Sequence, residues 1–286
     1  MDVCNINDIK ALLGRHGFHF SKSMGQNFLI QPWVPEDIAA ASGANRDCCV
    51  LEIGPGIGPL TRQLSDRAAK VVAVELDRTL LPILAETLEG RDNVDIVPGD
   101  IMKLDIPALV SQRFDDLTPI VCANLPYNIT SPVLTALIES GCFASITVMI
   151  QREVALRICA APGSADYGAF SVFCQYHTTP ELLFDVPNTC FIPAPKVTSS
   201  VLRMVPRPKP TEVEDEAFFF RVVRAAFAQR RKTLLNSLSS ALGQPFTREM
   251  IADAIAACSL RPDVRGERLD ISELACLARN LQVYTV

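Results

Sequence analysis

A chain of 286 residues with 49% hydrophobic content has room for roughly two domains of about 150 residues each and enough apolar surface for a sizeable core, which excludes a mainly disordered protein. Its formal net charge of -5 gives no global attraction to nucleic acid, so any such attraction has to be local. Residues 1–14 carry no long apolar run and no later stretch approaches a membrane span, so a soluble, cytoplasmic protein is expected, with no membrane partner.

The front of the chain alternates two kinds of signal. Val50-Leu51-Glu52-Ile53 and residues 71–76, 94–97, 120–123 and 146–150 are short, apolar, β-branched runs separated by helix-like segments, the pattern of a parallel sheet covered on both faces. Residues 171–176 and 199–205 then read as two longer strands joined by a proline-rich connection, hence an antiparallel edge hairpin. Pro206-Arg207-Pro208-Lys209-Pro210 suits neither helix nor central strand and predicts a stiff linker, dividing 1–206 from 207–286. Beyond it, 214–242, 247–258 and 271–281 are predicted helices, with Gly243 as a stop. The part from Arg207 onward holds 12 basic and 10 acidic residues, against 15 and 22 before it. Arg221, Arg224, Arg230, Arg231 and Lys232 fall in a segment without an acid, which suits tracking of phosphates or a solvated helix face. The 10 cysteines are scattered, without a C-x-x-C spacing. Neither a zinc site nor a disulfide framework is expected, and most read as small buried hydrophobes.

The chemistry collects at strand ends. Glu52-Ile53-Gly54-Pro55-Gly56-Ile57-Gly58-Pro59 follows the first strand as a turn that lets backbone approach a ligand, with Pro59 fitting a helix start. Glycines at 54, 56 and 58 do not match the G-x-G-x-x-G dinucleotide fingerprint, and no Gly-Lys-Ser/Thr follows for a phosphate loop. Glu75 ends the second strand about 20 residues on, where a carboxylate reaches a ribose diol. Gly99-Asp100 follows the third, where an acceptor can take a hydrogen of an adenine amino group while Ile101 and Met102 flank the ring; capping the next helix is the ordinary alternative. After the fourth strand stands Asn124-Leu125-Pro126-Tyr127. An amide beside a free carbonyl can accept both hydrogens of an exocyclic amino group, the proline stiffens the turn, and the tyrosine offers a face to an extruded base; an Asx-type turn closing a strand is the bland reading.

Together with Ser23-Met24-Gly25-Gln26-Asn27-Phe28-Leu29, Gln151-Arg152-Glu153-Val154-Ala155, Phe191-Ile192-Pro193-Ala194-Pro195-Lys196-Val197, Gln229-Arg230-Arg231-Lys232-Thr233-Leu234 and Arg265-Gly266-Glu267-Arg268-Leu269, these motifs cover nearly the whole chain. In that order they resemble the small-subunit ribosomal RNA adenine N6,N6-dimethyltransferase family, the bacterial 16S rRNA dimethyladenosine transferases. The resemblance implies an α/β fold, a Rossmann-like seven-stranded class I methyltransferase sheet with a smaller C-terminal all-helical domain. Residues 1–206 would form the catalytic domain that binds S-adenosylmethionine, and 207–286 the RNA-recognition domain.

By the same resemblance, Gln26, Asn27 and Leu29 would contact the methionine end of S-adenosylmethionine, Gly54 and Gly56 form its glycine loop, Glu75 hold the ribose, and Asp100 with Ile101 the adenine. Asn124 would border the cofactor and, with the Leu125 carbonyl, hold the target amino group, while Tyr127 and Phe191 stack on the flipped base. Arg221, Arg224, Arg231 and Lys232 would meet RNA phosphates. A monomer acting on small-subunit rRNA in a partly assembled subunit is expected, with no metal. The chain departs from the family pattern at Val186-Pro187-Asn188, where relatives carry a second proline that would stiffen the approach to Phe191. It departs again at Asp270, where relatives often carry serine, a position suited to helix capping. Competing readings are a large-subunit rRNA adenine methyltransferase of the macrolide-resistance type, a nucleotide-dependent oxidoreductase, and a noncatalytic ribosome-assembly factor.

Overall fold

The alternation of β-branched runs with helical segments yields the expected sheet in a computed structural model that describes residues 1–19, 26–208 and 213–285. Ser23, Met24, Gly25, Lys209 and Pro210, which the sequence reading used, lie outside the described residues. Helix α1 (Ile6–Arg15) is capped by the Asn5 side chain, which accepts from the Asn7 and Asp8 amides. Strand β1 (Phe28–Leu29) and helix α2 (Trp33–Ala41) lead into β2 (Cys48–Ile53), α3 (Pro59–Arg67), β3 (Lys70–Glu75), α4 (Leu81–Thr87), β4 (Val94–Pro98), α5 (Ile106–Arg113), β5 (Thr118–Asn124), α6 (Thr130–Ser140) and β6 (Ser145–Gln151). Then come α7 (Arg152–Ile158), α8 (Ala169–His177), β7 (Thr178–Val186), β8 (Phe191–Ile192) and β9 (Ser199–Pro206), followed by α9 (Glu216–Phe227), α10 (Leu234–Ala241), α11 (Arg248–Ala257) and α12 (Ile271–Gln282).

The sheet has seven strands in the order β4-β3-β2-β5-β6-β9-β7. Pairings from β4 through β6 are parallel, and β9 runs antiparallel to β6. Every residue of β2 is buried, as a strand covered on both faces requires. From β2 the chain moves outward through β3 and β4, then returns to β5 on the other side of β2. That reversal opens a crevice at the carboxyl ends of β2 and β5. Outside the main sheet, β1 pairs antiparallel with β8, Leu29 opposite Phe191.

Packing divides the chain into two compact units, Met1–Ala155 with Pro180–Pro206, and Leu156–Thr179 with Arg207–Val286. The break at 206/207 coincides with the proline-rich segment. Residues 156–179, assigned from sequence to the first part, pack with the helical unit instead. The expected strand at 171–176 is in fact α8. At its start the Ser171 Oγ accepts from the Gly168 amide at 3.0 Å, and Phe173 and Tyr176, three apart and so on one helix face, pack against Phe220 and Phe219 with centroids 5.5 and 5.0 Å apart. The expected helix over 214–242 is two, α9 and α10. Thr233 caps the second through the Asn236 amide, and the Leu234 amide turns out to the Val264 carbonyl at 2.7 Å. Asp270 does cap α12, in a reciprocal box with Glu273. Six of the ten cysteines are buried. Among the described residues no helix is long and apolar enough to cross a membrane.

Candidate active site

The crevice at the strand ends is a cavity of about 190 Å³ in the first unit, lined by residues 26–29, 52–57, 99–101 and 124–129 together with Glu75, Leu76 and Phe191. The carboxyl ends of β2, β3, β4 and β5 all open onto it. Gly54 and Gly56 adopt φ of 68° and 62°, left-handed values that cost a side chain strain. A Cβ on Gly56 would also meet the Phe28 ring at 3.4 Å. This conformation turns the Gly56 amide toward Glu75, whose Oε2 accepts from it at 3.3 Å while Oε1 accepts from the Asp77 amide at 2.7 Å. Burial raises the Glu75 carboxyl above the ordinary glutamate value, and these backbone donors counter the rise. The carboxylate keeps lone-pair capacity beyond its backbone donors, so a ribose diol has an acceptor.

Asp100 fulfils the capping reading and also stands at the cavity. Its Oδ1 caps the single turn 101–103 by accepting from the Met102 amide at 3.0 Å, and the residue still lines the cavity. Ile101 lines it too and is buried, whereas Met102 stands 42% exposed and is not among the lining residues. On the opposite wall, Asn124 ends β5 beside Met149 of β6, and the Leu125 amide donates to the Met149 carbonyl at 3.1 Å. That bond anchors the turn. Tyr127 is half-buried, its hydroxyl 2.7 Å from Ser199 Oγ on β9, which fixes the ring without using its face. Phe191 is only 3% exposed and reaches the cavity as part of the core under α2 and β5. Asn188 Nδ2 donates to the Pro195 carbonyl at 3.1 Å, tying together the loop around Phe191.

Residues 17–268 match the model of the family described as Ribosomal RNA adenine dimethylase. The chain belongs to the ribosomal RNA adenine dimethylase family. Two relatives carry the name ribosomal RNA small subunit methyltransferase A. One, from Geobacillus thermodenitrificans, is 46% identical over 284 residues, which is 98% of this chain and 97% of that protein; the other, from Streptococcus sanguinis, is 46% identical over 286 residues and 99% of each. Among solved structures, a dimethyladenosine transferase from Plasmodium falciparum shares the fold at a TM-score of 0.74 and 23% identity, covering 90% of this chain and 98% of its own. The 23S rRNA methyltransferase ErmE matches at a TM-score of 0.67 and 25% identity, covering 90% and 100%.

Within this dimethylase fold, Leu76, Asn128 and Glu52 are among the cavity residues given no role from the sequence. Leu76 lines the cavity at 54% exposure, and its place between two acids gave no local sign of this position. Asn128 lines the wall next to Tyr127. Glu52 is 1% exposed, and burial pushes its carboxyl up to about 8, with the Thr61 hydroxyl restraining the rise and Glu75 adding to it. Among the described residues its Oε2 has no hydrogen bond of normal geometry. Gln26 lines the cavity as expected, but its Nε2 donates to Asp77 Oδ2 at 2.7 Å. In the helical unit, the Arg224, Arg231 and Lys232 side chains are exposed with no hydrogen-bond or ion-pair partner among the described residues. Arg221 is committed to its own fold, donating to the Leu242 carbonyl at 2.6 Å with its guanidinium 5.8 Å from the centre of the Phe246 ring. No group of three or more metal-ligating side chains occurs among the described residues.

Proposed function

We propose that this chain dimethylates N6 of two adjacent adenosines near the 3′ end of small-subunit ribosomal RNA, with S-adenosylmethionine as methyl donor. The observation that carries the reading is that Asn124-Leu125-Pro126-Tyr127 opens into the same cavity as Glu75 and Asp100. S-adenosylmethionine, when bound, supplies an electrophilic methyl group on a sulfonium. The lining fits it: Glu75 offers acceptors to a ribose, Asp100 and Ile101 suit an adenine, and the left-handed turn at Gly54 and Gly56 leaves room for close approach. Gln26, Asn27 and Leu29 border the remaining end.

The amino nitrogen of adenine is a poor nucleophile because its lone pair is delocalised into the ring. Acceptance of its two hydrogens by the Asn124 side-chain oxygen and the Leu125 carbonyl favours pyramidalisation and aims the lone pair across the cavity. Tyr127, pinned by Ser199, presents its face to the flipped base, and Phe191 supports it from the core. No strong base is required, since the methylated nitrogen is cationic and loses its proton readily to water. The gain comes mainly from positioning. Monomethyladenine keeps one hydrogen for the same two acceptors, so a second transfer follows in the same site.

The substrate is a partly assembled small subunit in the cytoplasm, approached by a monomer, and an assembly-checking role accompanies the chemistry. Residues 1–206 carry catalysis and 207–286 recognition, the latter joined by the packing of 156–179. Arg224, Arg231 and Lys232 meet phosphates. The relatives named for the small subunit, at 46% identity, support this substrate over the large-subunit RNA of the 25% identical 23S rRNA methyltransferase ErmE. Incubating separated unmethylated subunits with labelled S-adenosylmethionine tests it. Label on small-subunit RNA is expected; label confined to large-subunit RNA would reverse the choice.

A further inference from the structure

Asp77 has no part in the chemistry above, yet it is 8% exposed and joins three pieces of the cleft. Its backbone amide donates to Glu75 Oε1 at 2.7 Å. Its Oδ1 accepts from the Thr79 amide at 3.0 Å and the Thr79 hydroxyl at 2.6 Å, which starts the turn leading to α4. Its Oδ2 accepts from Gln26 Nε2 at 2.7 Å, a residue 51 positions away that opens the cavity wall formed by residues 26–29. Burial alone would raise the carboxyl, but the hydrogen bonds from Thr79 and Gln26 outweigh it and hold the group below the usual aspartate range. An anion with its donors in place is a rigid junction, because removing any donor leaves buried charge unsatisfied.

We propose that Asp77 is a positioning residue for the methyl donor. Through Gln26 it fixes the wall that borders the methionine end of the donor, and through its own amide it orients the Glu75 carboxylate at the ribose. Both contacts are thereby set by one residue. The inference rests on the reading of this cleft as an S-adenosylmethionine site.

The test uses full-length protein and three variants, Gln26→Leu, Gln26→Glu and the double variant Gln26→Glu/Asp77→Asn. Gln26→Leu removes the donor with little change of volume, Gln26→Glu sets two carboxylates against each other, and the double variant restores one donor and one acceptor in reversed order at the wild-type net charge. Calorimetric titration with S-adenosylmethionine, the kinetic constants and the thermal midpoint are read for each. Both single variants should weaken donor affinity about tenfold and raise donor KM more than they lower kcat. The double variant should recover affinity to within about threefold of wild type. Single variants that lower the midpoint while leaving donor affinity unchanged, or a double variant no better than Gln26→Glu, would overturn the proposal. Wild-type protein that fails to bind S-adenosylmethionine in the same titration would overturn the cofactor reading, and the proposal with it.

Discussion

Asn124 and Glu75 line one cavity, and the roles proposed for them give opposite kinetic signatures. Asn124→Ala should abolish methyl transfer and leave S-adenosylmethionine affinity nearly unchanged, since the side chain grips the target amino group; a large loss of affinity would move it to the donor. Glu75→Ala should weaken donor binding by about 1.5–3 kcal/mol, the usual worth of hydrogen bonds to a charged group, and an unchanged titration would refute the ribose role. Tyr127→Phe should keep much of the activity and Tyr127→Ala lose it, because only the ring face meets the base, and the Ser199 bond limits how much the hydroxyl adds. Glu52 gives a pH test. Its folded carboxyl is raised from 4.5 to about 8, so the folded state holds this proton more tightly than the unfolded one. Its contribution to stability is therefore present below pH 4.5 and lost as pH rises to about 8. Thermal midpoints of wild type should fall relative to Glu52→Gln across that window, and parallel curves would show that Glu52 does not titrate there. Glu75, Asp100 and Asn124 were legible because each closes an apolar run whose end is visible in the sequence. Glu52 and Asp77 were not, since nothing local tells a carboxylate buried in a network from one facing solvent.

Elements in the sheet were legible for the same reason, with β2 through β6 each a β-branched run between helices. The segment Ala169–His177 was not, because its alternation of apolar and small residues satisfies a period of two as well as one of 3.6. Only contact with the α9 aromatics decides between them, and that contact is nonlocal. The merged helix over 214–242 failed similarly, since Gln229 to Lys232 contains no glycine or proline to announce a break. Asp270 shows the reverse case, a local cap that sequence chemistry predicts. Asp270→Ala should cost about 1 kcal/mol and lower the thermal midpoint by roughly 2–4 °C, whereas Asp270→Ser should nearly match wild type. Equal losses in both would place the effect in the carboxylate charge rather than the cap.

Across the molecule the charge is uneven, with an acidic front and a mildly basic tail, and the proposed RNA contacts fall in the tail. Replacing Arg224, Arg231 and Lys232 by glutamine should weaken binding to small subunits and flatten its dependence on salt, each lost phosphate contact taking roughly one counterion from the slope. Arg221 is left out because its loss would also disturb the end of α10. Donor affinity should be unaffected, and an unchanged salt slope would make these three only a solvated face. The most direct test of the whole account is nucleoside mass spectrometry, with position mapping, on unmethylated small subunits treated with S-adenosylmethionine and either wild-type protein or Asn124→Ala. The account predicts N6,N6-dimethyladenosine at two adjacent positions near the 3′ end with wild type and none with the variant. Methylation elsewhere, or dimethyladenosine persisting in Asn124→Ala, would contradict it.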